Sequence, residues 1–398
     1  MTDWKEIELR EICSNISYGY TASANIAPVG PKFLRITDIS KGRINWETVP
    51  YCKISIKDSV KYKLEIGDIV IARTGATTGY NTIIKNEVDA VFASYLIRYK
   101  VDKEIAEPFF VGYVLQSNRF QDYVDAIAGG SAQPGANAQQ FADFEFLLPT
   151  LPEQFQIASI LSSLDNKIDL LHRQNKTLEQ LAETMFRQWF VEETEESWET
   201  KKVKDVCTTI SKGTTPTTLG KQFKEIGINF IKAESLTDEG GFISEKFAFI
   251  DNETDELLRR SRIQKEDILI TIAGTIGRIA HVTEDVLPAN TNQAIGFMRA
   301  NKEIITPYFI YCLFKTSEIR NDFEGRVIHA VQPNLSLGEI GDIEFKMPPK
   351  EKLEYGMHEL SHLFNKKEKN TNQIRTLTQL RDTLLPKLMS GEVRVKIN

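Results

Sequence analysis

The sequence predicts an α+β protein built as two similar α/β globules separated by two long antiparallel coiled-coil helices, the whole arising from an internal tandem repeat. Three observations lead there. The stretch "GSAQPGANAQQFADFEFLLPTLPE" (130–153) returns as "HAVQPNLSLGEIGDIEFKMPPKEK" (329–352), with six identities at one offset of 199: Gln133/Gln332, Pro134/Pro333, Asp143/Asp342, Glu145/Glu344, Phe146/Phe345 and Pro149/Pro348. Short β-rich runs broken by Gly, Pro and Asn fill the first part of each copy. After each globule the apolar pattern switches to helical spacing.

The repeat spans nearly the whole chain. Trp4, Leu9, Ile12 and Cys13 recur as Trp198, Val203, Val206 and Cys207 at offset 194, and Ser17-x-Gly19 recurs as Ser211-x-Gly213. "KFLRITDI" (32–39) matches "NFIKAESL" (229–236) at offset 197, and "GDIVIARTG" (67–75) matches "EDILITIAG" (266–274) at offset 199. "EPFF" (107–110) matches "TPYF" (306–309), and "KTLEQL" (176–181) matches "RTLTQL" (375–380). A slowly drifting offset is the mark of two long repeats with small loop insertions, as opposed to a solenoid of short ones.

Within each copy, "KFLRIT", "GDIVIA" and "LIRYKV", or "NFIKA", "DILITI" and "AIGFMR", read as strands, and one helix follows Pro108 or Pro307. A proline hinge ("LLPTLPEQ", "KMPPKEK") precedes each long helix. In the first helix Ile157, Leu161, Leu164, Ile168, Leu171, Asn175, Leu178, Ala182, Met185 and Trp189 keep an unbroken 4-3 spacing, a heptad seam with one polar interruption at Asn175. The second seam runs through Leu360, Leu363, Lys367, Asn370, Ile374, Leu377, Leu384 and Leu388. A helix of about 35 to 40 residues is roughly 55 Å long, too long to pack on one small globule. Pairing of the two helices with each other is therefore expected, and antiparallel pairing would put the globules at opposite ends of a rod. The acidic run "VEETEESWET" (191–200) is the expected link into the second globule.

Composition bounds the function. With 398 residues, 41% hydrophobic and 26% charged, the chain is ordinary globular material with no sign of disorder. Cys13, Cys52, Cys207 and Cys312 lack CxxC spacing and point to a reducing compartment. The start "MTDWKEIELREI" does not read as a signal peptide, and no apolar run is long enough for a membrane span, so a cytoplasmic location without membrane contact is expected. A net charge of -6 argues against a free-standing nucleic-acid binder, whose domain is usually basic.

The search for catalytic motifs is nearly empty. No GxGxxG follows a strand, and "GTTPTTLGKQ" (213–222) fails the P-loop pattern. No [DN]PP[YF] of an amino-methyltransferase and no convincing nuclease carboxylate cluster is present. "HELSH" (358–362) is a literal HExxH, whose two imidazoles one helical turn apart suit zinc, with Glu359 as base. Against zinc peptidase chemistry, Leu360 belongs to the second seam, the aligned positions in the first copy are Ser159, Ile160 and Ser163, and no obvious third ligand follows. The favoured reading is a non-enzyme without metal or cofactor.

Two similar globules held apart suit a reader of two separated half-sites on a long ligand, duplex DNA being the usual one. A scaffold binding two protein partners is the alternative. Here the residues also resemble a known family. "LLPTLPEQFQIASILSSLDNKIDLL", "TLEQLAETMFRQWF" and "LLPKLMSGEVRV" are similar to the shared regions of specificity subunits of Type I restriction-modification enzymes. "GTTP", "FIKAESL", "GDIVIARTGATTG" and "LITIAGTIGR" resemble that family's target recognition domains. The resemblance implies a non-catalytic subunit that selects an asymmetric bipartite sequence in double-stranded DNA and docks two methylation subunits and the restriction subunits. It implies recognition domains at 1–150 and 193–349, a spacer helix at 151–192, and a second long helix with tail at 350–398. It also meets the charge objection, because methylation subunits closing round the duplex would supply much of the phosphate neutralisation.

Positions shared by the two globules are expected to hold the fold, and polar loop positions that differ are expected to read bases. The DNA-contacting candidates in the first globule are Tyr18, Tyr20, Arg35, Arg73, Thr77, Thr78 and Tyr80. In the second they are Lys212, Thr214, Thr215, Lys232, Arg278, Asn292 and Gln293, the last two being amides suited to adenine. Gly75, Gly79, Gly274 and Gly277 suit tight turns or a phosphate nest. Gln133, Pro134, Gln332 and Pro333 favour a structural turn, with His329 and Asn334 as lesser base-reading candidates. Phe186, Trp189 and Phe190, taken as exposed, are the expected methylation-subunit surface.

Overall fold

In a computed structural model of the chain, residues 4–40, 43–129, 135–238, 240–328 and 334–395 are described. Gln133, Pro134, His329, Gln332 and Pro333 lie outside them. The chain divides into two units, residues 1–170 with 374–398, and residues 171–373. Each long helix is thus shared between the units.

In the first unit, Cys13–Tyr18, Leu96–Val101, Ile69–Ala72 and Asn81–Ile83 form an antiparallel four-stranded sheet in that order. Strand Ile69–Ala72 is buried on both faces, which is why "IVIA" reads as a continuous apolar run and not as an alternation. Lys32–Leu34 pairs parallel with Ala90–Phe92 beside it. Lys5–Glu8 pairs antiparallel with Glu145–Leu148, so the repeated "EFLL" closes the globule against its own first strand. Helix Pro108–Val114 starts with proline at its first position and takes its cap from Glu107.

The second unit repeats this plan. Cys207–Lys212, Ile295–Ala300, Ile268–Thr271 and Ile279–His281 form the antiparallel sheet. Ala248–Ile250, Ile228–Ile231, Ala289–Thr291 and Arg262–Ile263 form a second sheet, and Glu199–Lys202 pairs with Glu344–Met347. The shared "GD/ED" becomes intelligible here. Asp68 and Asp267 are buried and each caps its own turn, accepting from the Glu65 and Gln264 backbone N–H groups at 2.9 and 2.8 Å. Asp267 also takes a two-pronged hydrogen bond from Arg299 at 2.8 and 2.7 Å. Burial pushes both carboxyls above the ordinary aspartate range.

The first long helix runs Leu151–Arg187 and continues as a π-helical turn, Gln188–Glu192, and the second runs Lys350–Met389. In unit two Asn175 meets Thr371 and Glu179 meets Lys367, so four residues up one helix correspond to four down the other and the pairing is antiparallel. In unit one Asp165 meets Arg381 and Glu153 meets Arg394, again antiparallel. Ile157, Leu161, Ile168, Leu171 and Ala182 of the expected seam are buried, as are Leu360 and Leu388 opposite.

Each unit ties its helix pair to its globule through a buried carboxylate the heptad reading did not anticipate. In unit one Asp165 accepts from the Tyr113 hydroxyl at 2.8 Å and pairs with Lys85 and Arg381. In unit two Glu179 accepts from Tyr311 and pairs with Lys315 and Lys367. Burial pushes the Asp165 carboxyl up, but Lys85, Tyr113 and Arg381 outweigh it and hold it below its ordinary value. For Glu179, Lys367 and Lys315 outweigh burial with the same net direction.

The expectation of exposed Phe186 and Phe190 is corrected. Phe186 is 1% and Phe190 5% exposed, because residues four apart on a helix share a face and here that face meets Phe309, at ring separations of 4.9 and 5.3 Å. Gly356 makes room for Phe190: a Cβ there would lie 2.4 Å from the Phe190 ring. Trp189 is half-buried, 5.7 Å from the largely exposed Tyr355.

Candidate nucleic-acid interface

In each globule three chain segments meet at one end of the four-stranded sheet. They are the exit of the first sheet strand, the turn after "DIV" or "DIL", and the turn before the last sheet strand. In unit one Gly19 N–H donates to Leu96 O at 3.2 Å, Tyr20 N–H to Phe92 O at 2.8 Å, and Arg73 N–H to Tyr95 O at 3.1 Å. Ala136 N–H donates to Arg73 O at 3.0 Å, bringing in a fourth segment. Unit two makes the same bonds. Gly213 N–H donates to Ile295 O at 3.4 Å, with a further bond to Asn292 O at 3.1 Å, Thr214 N–H to Thr291 O at 3.2 Å, Ile272 N–H to Ala294 O at 2.8 Å and Leu335 N–H to Ile272 O at 2.9 Å.

The repeated Ser-x-Gly has its cause in this junction. A Cβ on Gly19 would stand 2.3 Å from Ala93 O, and one on Gly213 would stand 1.8 Å from Thr291 O. Both are impossible approaches, so only glycine lets the first strand cross the turn this closely.

On matching backbones the side chains differ. In unit one Tyr18 is 42% exposed, accepts from Ala138 N–H at 3.1 Å and lies under the Arg73 guanidinium, 5.1 Å from the ring centre. Arg73 Nε is buried without a partner among the described residues, so the guanidinium is held against the ring with hydrogen-bonding capacity unspent. Tyr20 is half-buried, its ring 5.3 Å from Tyr62. In unit two the Thr215 hydroxyl donates to Gln293 Oε1, which fixes the exposed amide of Gln293. Asn292 Oδ1 accepts from Ala294 N–H at 3.2 Å, shaping the turn. Lys212 ends the first strand beside Gly213. The structure therefore gathers Tyr18, Tyr20 and Arg73 in one globule and Lys212, Thr214, Thr215, Asn292 and Gln293 in the other.

Other candidates are otherwise engaged. Arg35 is clamped by Asp38 through hydrogen bonds of 2.9 and 2.8 Å, and Lys232, its counterpart, pairs with Glu234 at 2.9 Å. Arg278 pairs with Asp238 at 2.7 Å and donates to Leu236 O. Thr77 ends the 3-10 turn Gly75–Thr77, and buried Thr78 gives its hydroxyl to Gly75 O at 2.7 Å, so Thr78 builds the turn and has little surface for a ligand. Tyr80 packs against the core around Leu34 and Phe92. Gly75, Gly79, Gly274 and Gly277 all have positive φ, as the turn reading requires. Asn334 sits in the bridge to Ala273 beside the unit-two junction. A residue outside the expected candidates, Tyr95, is 55% exposed and lies in the unit-one turn aligned with Asn292–Ala294. The signal in the sequence is the match of "FASY" (92–95) with "TNQA" (291–294) at offset 199, in which Tyr95 stands opposite Ala294, next to the two amides.

Two junctions of one geometry with different polar side chains define a duplicated recognition protein. Comparison with known proteins gives the family. The Type I restriction modification DNA specificity domain matches residues 1–180 and again 195–379, and the chain belongs to that family, carrying the domain twice. It is 25% identical to the Type I restriction enzyme MjaIX specificity subunit of Methanocaldococcus jannaschii, over 99% of this chain and 94% of the relative. It is 23% identical to the HindI specificity subunit of Haemophilus influenzae, over 99% of this chain and 100% of the relative. In fold it is similar to the crystal structure of a Type I restriction-modification S subunit from M. genitalium, with a TM-score of 0.57, 18% identity, and coverage of 97% of this chain and 96% of the other.

Proposed function

We propose that this chain is the sequence-reading subunit of a Type I restriction-modification complex. It is non-catalytic, binds double-stranded DNA at an asymmetric bipartite target, and docks methylation and restriction subunits. Residues 1–150 form one recognition domain and 193–349 the other, joined to the first long helix, 151–192, and to the second long helix with its tail, 350–398. The observation that carries this reading is the pair of junctions: the same backbone bonds present Tyr18 and Arg73 in one copy and Thr215 and Gln293 in the other. Base edges are told apart by side-chain type, so different side chains on one scaffold suit two different half-sites. Tyr18, Tyr20, Arg73, Lys212, Thr214, Thr215, Asn292 and Gln293 are the residues proposed to contact DNA. Arg35, Thr77, Thr78, Tyr80, Lys232 and Arg278 support their loops. The complex works in the cytoplasm, where its DNA is; among the described residues no helix is long and apolar enough to cross a membrane.

The test is to sequence methylated bases in a host that expresses the chain with its methylation partner. An asymmetric two-part motif is expected. Replacing residues 198–349 with the equivalent domain of a relative should change one half of that motif and leave the other intact; a change in both halves would refute one half-site per domain.

A further inference from the structure

The "HELSH" stretch plays no part in that reading, yet its geometry is specific. It lies within the second long helix, where Met357 and Leu360 are buried and turn His358 and His362 outward, both exposed. The two imidazoles face each other across one helical turn with Nε2 to Nε2 at 3.4 Å. Nitrogens about 2.1 Å from a tetrahedral metal are about 3.4 Å apart, so the spacing is that of two ligands of one ion. Glu359 Oε1 lies 3.4 Å from His358 Nδ1. A carboxylate on that side favours the tautomer with its proton on Nδ1 and leaves the Nε2 lone pair available. Among the described residues no group of three His, Cys, Asp or Glu is placed to hold a metal, so the third protein ligand of a zinc peptidase is not supplied.

We propose that His358 and His362 chelate one divalent transition-metal cation of the nickel, copper and zinc class through their Nε2 atoms, with water in the remaining positions. Imidazole suits this class, and among first-row ions copper should bind most tightly. The site belongs to the second copy alone, since the aligned residues of the first are Ser159 and Ser163. It is independent of the DNA-reading function, because it uses none of the junction residues.

The experiment is calorimetric titration of the untagged full-length chain with Ni2+, alongside His358→Ala, His362→Ala, the double variant and Glu359→Gln. All three substituted residues face outward, and circular dichroism checks that the helix is intact in each of the four variants. The wild type should bind one equivalent that is weakened at least about tenfold in either single histidine variant, the lower end of what losing a supporting partner alone costs. The double variant should bind no more tightly than either single one, because each single variant keeps only one monodentate ring and the double variant keeps none. Glu359→Gln should weaken binding by less than the histidine changes. With Cu2+, electron paramagnetic resonance should show two nitrogen ligands in the wild type and fewer in each single variant. Equal Ni2+ binding by the wild type and the double variant, or no stoichiometric binding by the wild type, would overturn the proposal.

Discussion

Replacing Gly213 with alanine tests whether the junction is what a recognition domain is built around. The new Cβ would lie 1.8 Å from Thr291 O, where real Cβ contacts stay beyond 3.0 Å, and the neighbour is backbone that no rotamer change can move. Strand and turn must separate by more than 1 Å, which breaks the Gly213 to Asn292 and Thr214 to Thr291 bonds, now 3.1 and 3.2 Å long. Each lost bond costs about 1 kcal/mol net, and more where the donor is left buried, so the substitution should cost about 2–4 kcal/mol. For a unit of roughly 200 residues each kcal/mol moves the midpoint by about 2–4 °C, so melting of this unit should drop by about 5–15 °C. Separation also displaces Thr215 from Gln293, so site-specific methylation by the assembled complex should be lost even below the new midpoint. Gly274→Ala is the control, since Gly274 has φ of +77° and open space around it. Only the left-handed backbone penalty of about 1–2 kcal/mol applies there, and the methylated motif should be unchanged. A Gly213→Ala protein that melts within about 1 °C of the wild type and methylates the same sites would refute the reasoning.

Glu179→Gln should leave the buried Lys315 amine with Glu183, 2.7 Å away, and the Tyr311 hydroxyl, and destabilise unit two by about 3 kcal/mol, read by denaturant titration. Because Lys367 and Lys315 hold the Glu179 carboxyl below its ordinary value despite burial, its contribution is present above the unfolded value near about 4.3 and fades as pH falls through the folded one. Calorimetry between neutral and acid pH should therefore show the difference between wild type and Glu179→Gln shrinking at the acid end. Gln293→Ala and Arg73→Ala should each relax discrimination at one base position by about 1–3 kcal/mol, in different half-sites, measured as methylation rates on a panel of single-base target variants. Phe186→Ala should act as a core truncation, costing about 3–5 kcal/mol of stability, and Trp189→Ala, which removes a half-buried ring, should cost clearly less; the reverse order would return Phe186 to a partner surface. The isolated chain should bind duplex weakly, and adding the methylation subunit should tighten binding and steepen its salt dependence in a filter-binding assay.

Periodicity made the architecture legible because it is a property of the chain itself. The 4-3 seam of Ile157 to Ala182 and the period of the strands follow from which face each residue must hide, and duplication supplied an internal alignment. Spacing alone misplaced Phe186 and Phe190, since a helix that packs against a globule as well as a partner helix buries a wider stripe than two heptad positions. For the same reason Asp165 and Glu179, one step beyond the seam, are buried where a heptad reading expects solvent. Loop candidates were legible as a region and less so as residues. Arg35, Lys232 and Arg278 look alike in sequence to Arg73, but whether a cation is spent on a nearby acid depends on loop closure that no spacing encodes.

Duplication also explains how one chain can read two sequences without two folds. The features the copies share are those the junction cannot lose: a glycine under a carbonyl, an aspartate capping its own turn, a closing strand against the first one. Features they do not share sit on the backbone those elements fix. Tyr18 under Arg73 sets a guanidinium at the junction, a group that suits a guanine edge or a phosphate. Thr215 holding Gln293 by its oxygen turns the amide nitrogen outward as a donor, which suits an acceptor on a base. On the proposed reading the two junctions differ in what they offer to a groove, and a change at Arg73 or Gln293 should alter the sequence read without touching the glycine on which each junction is built.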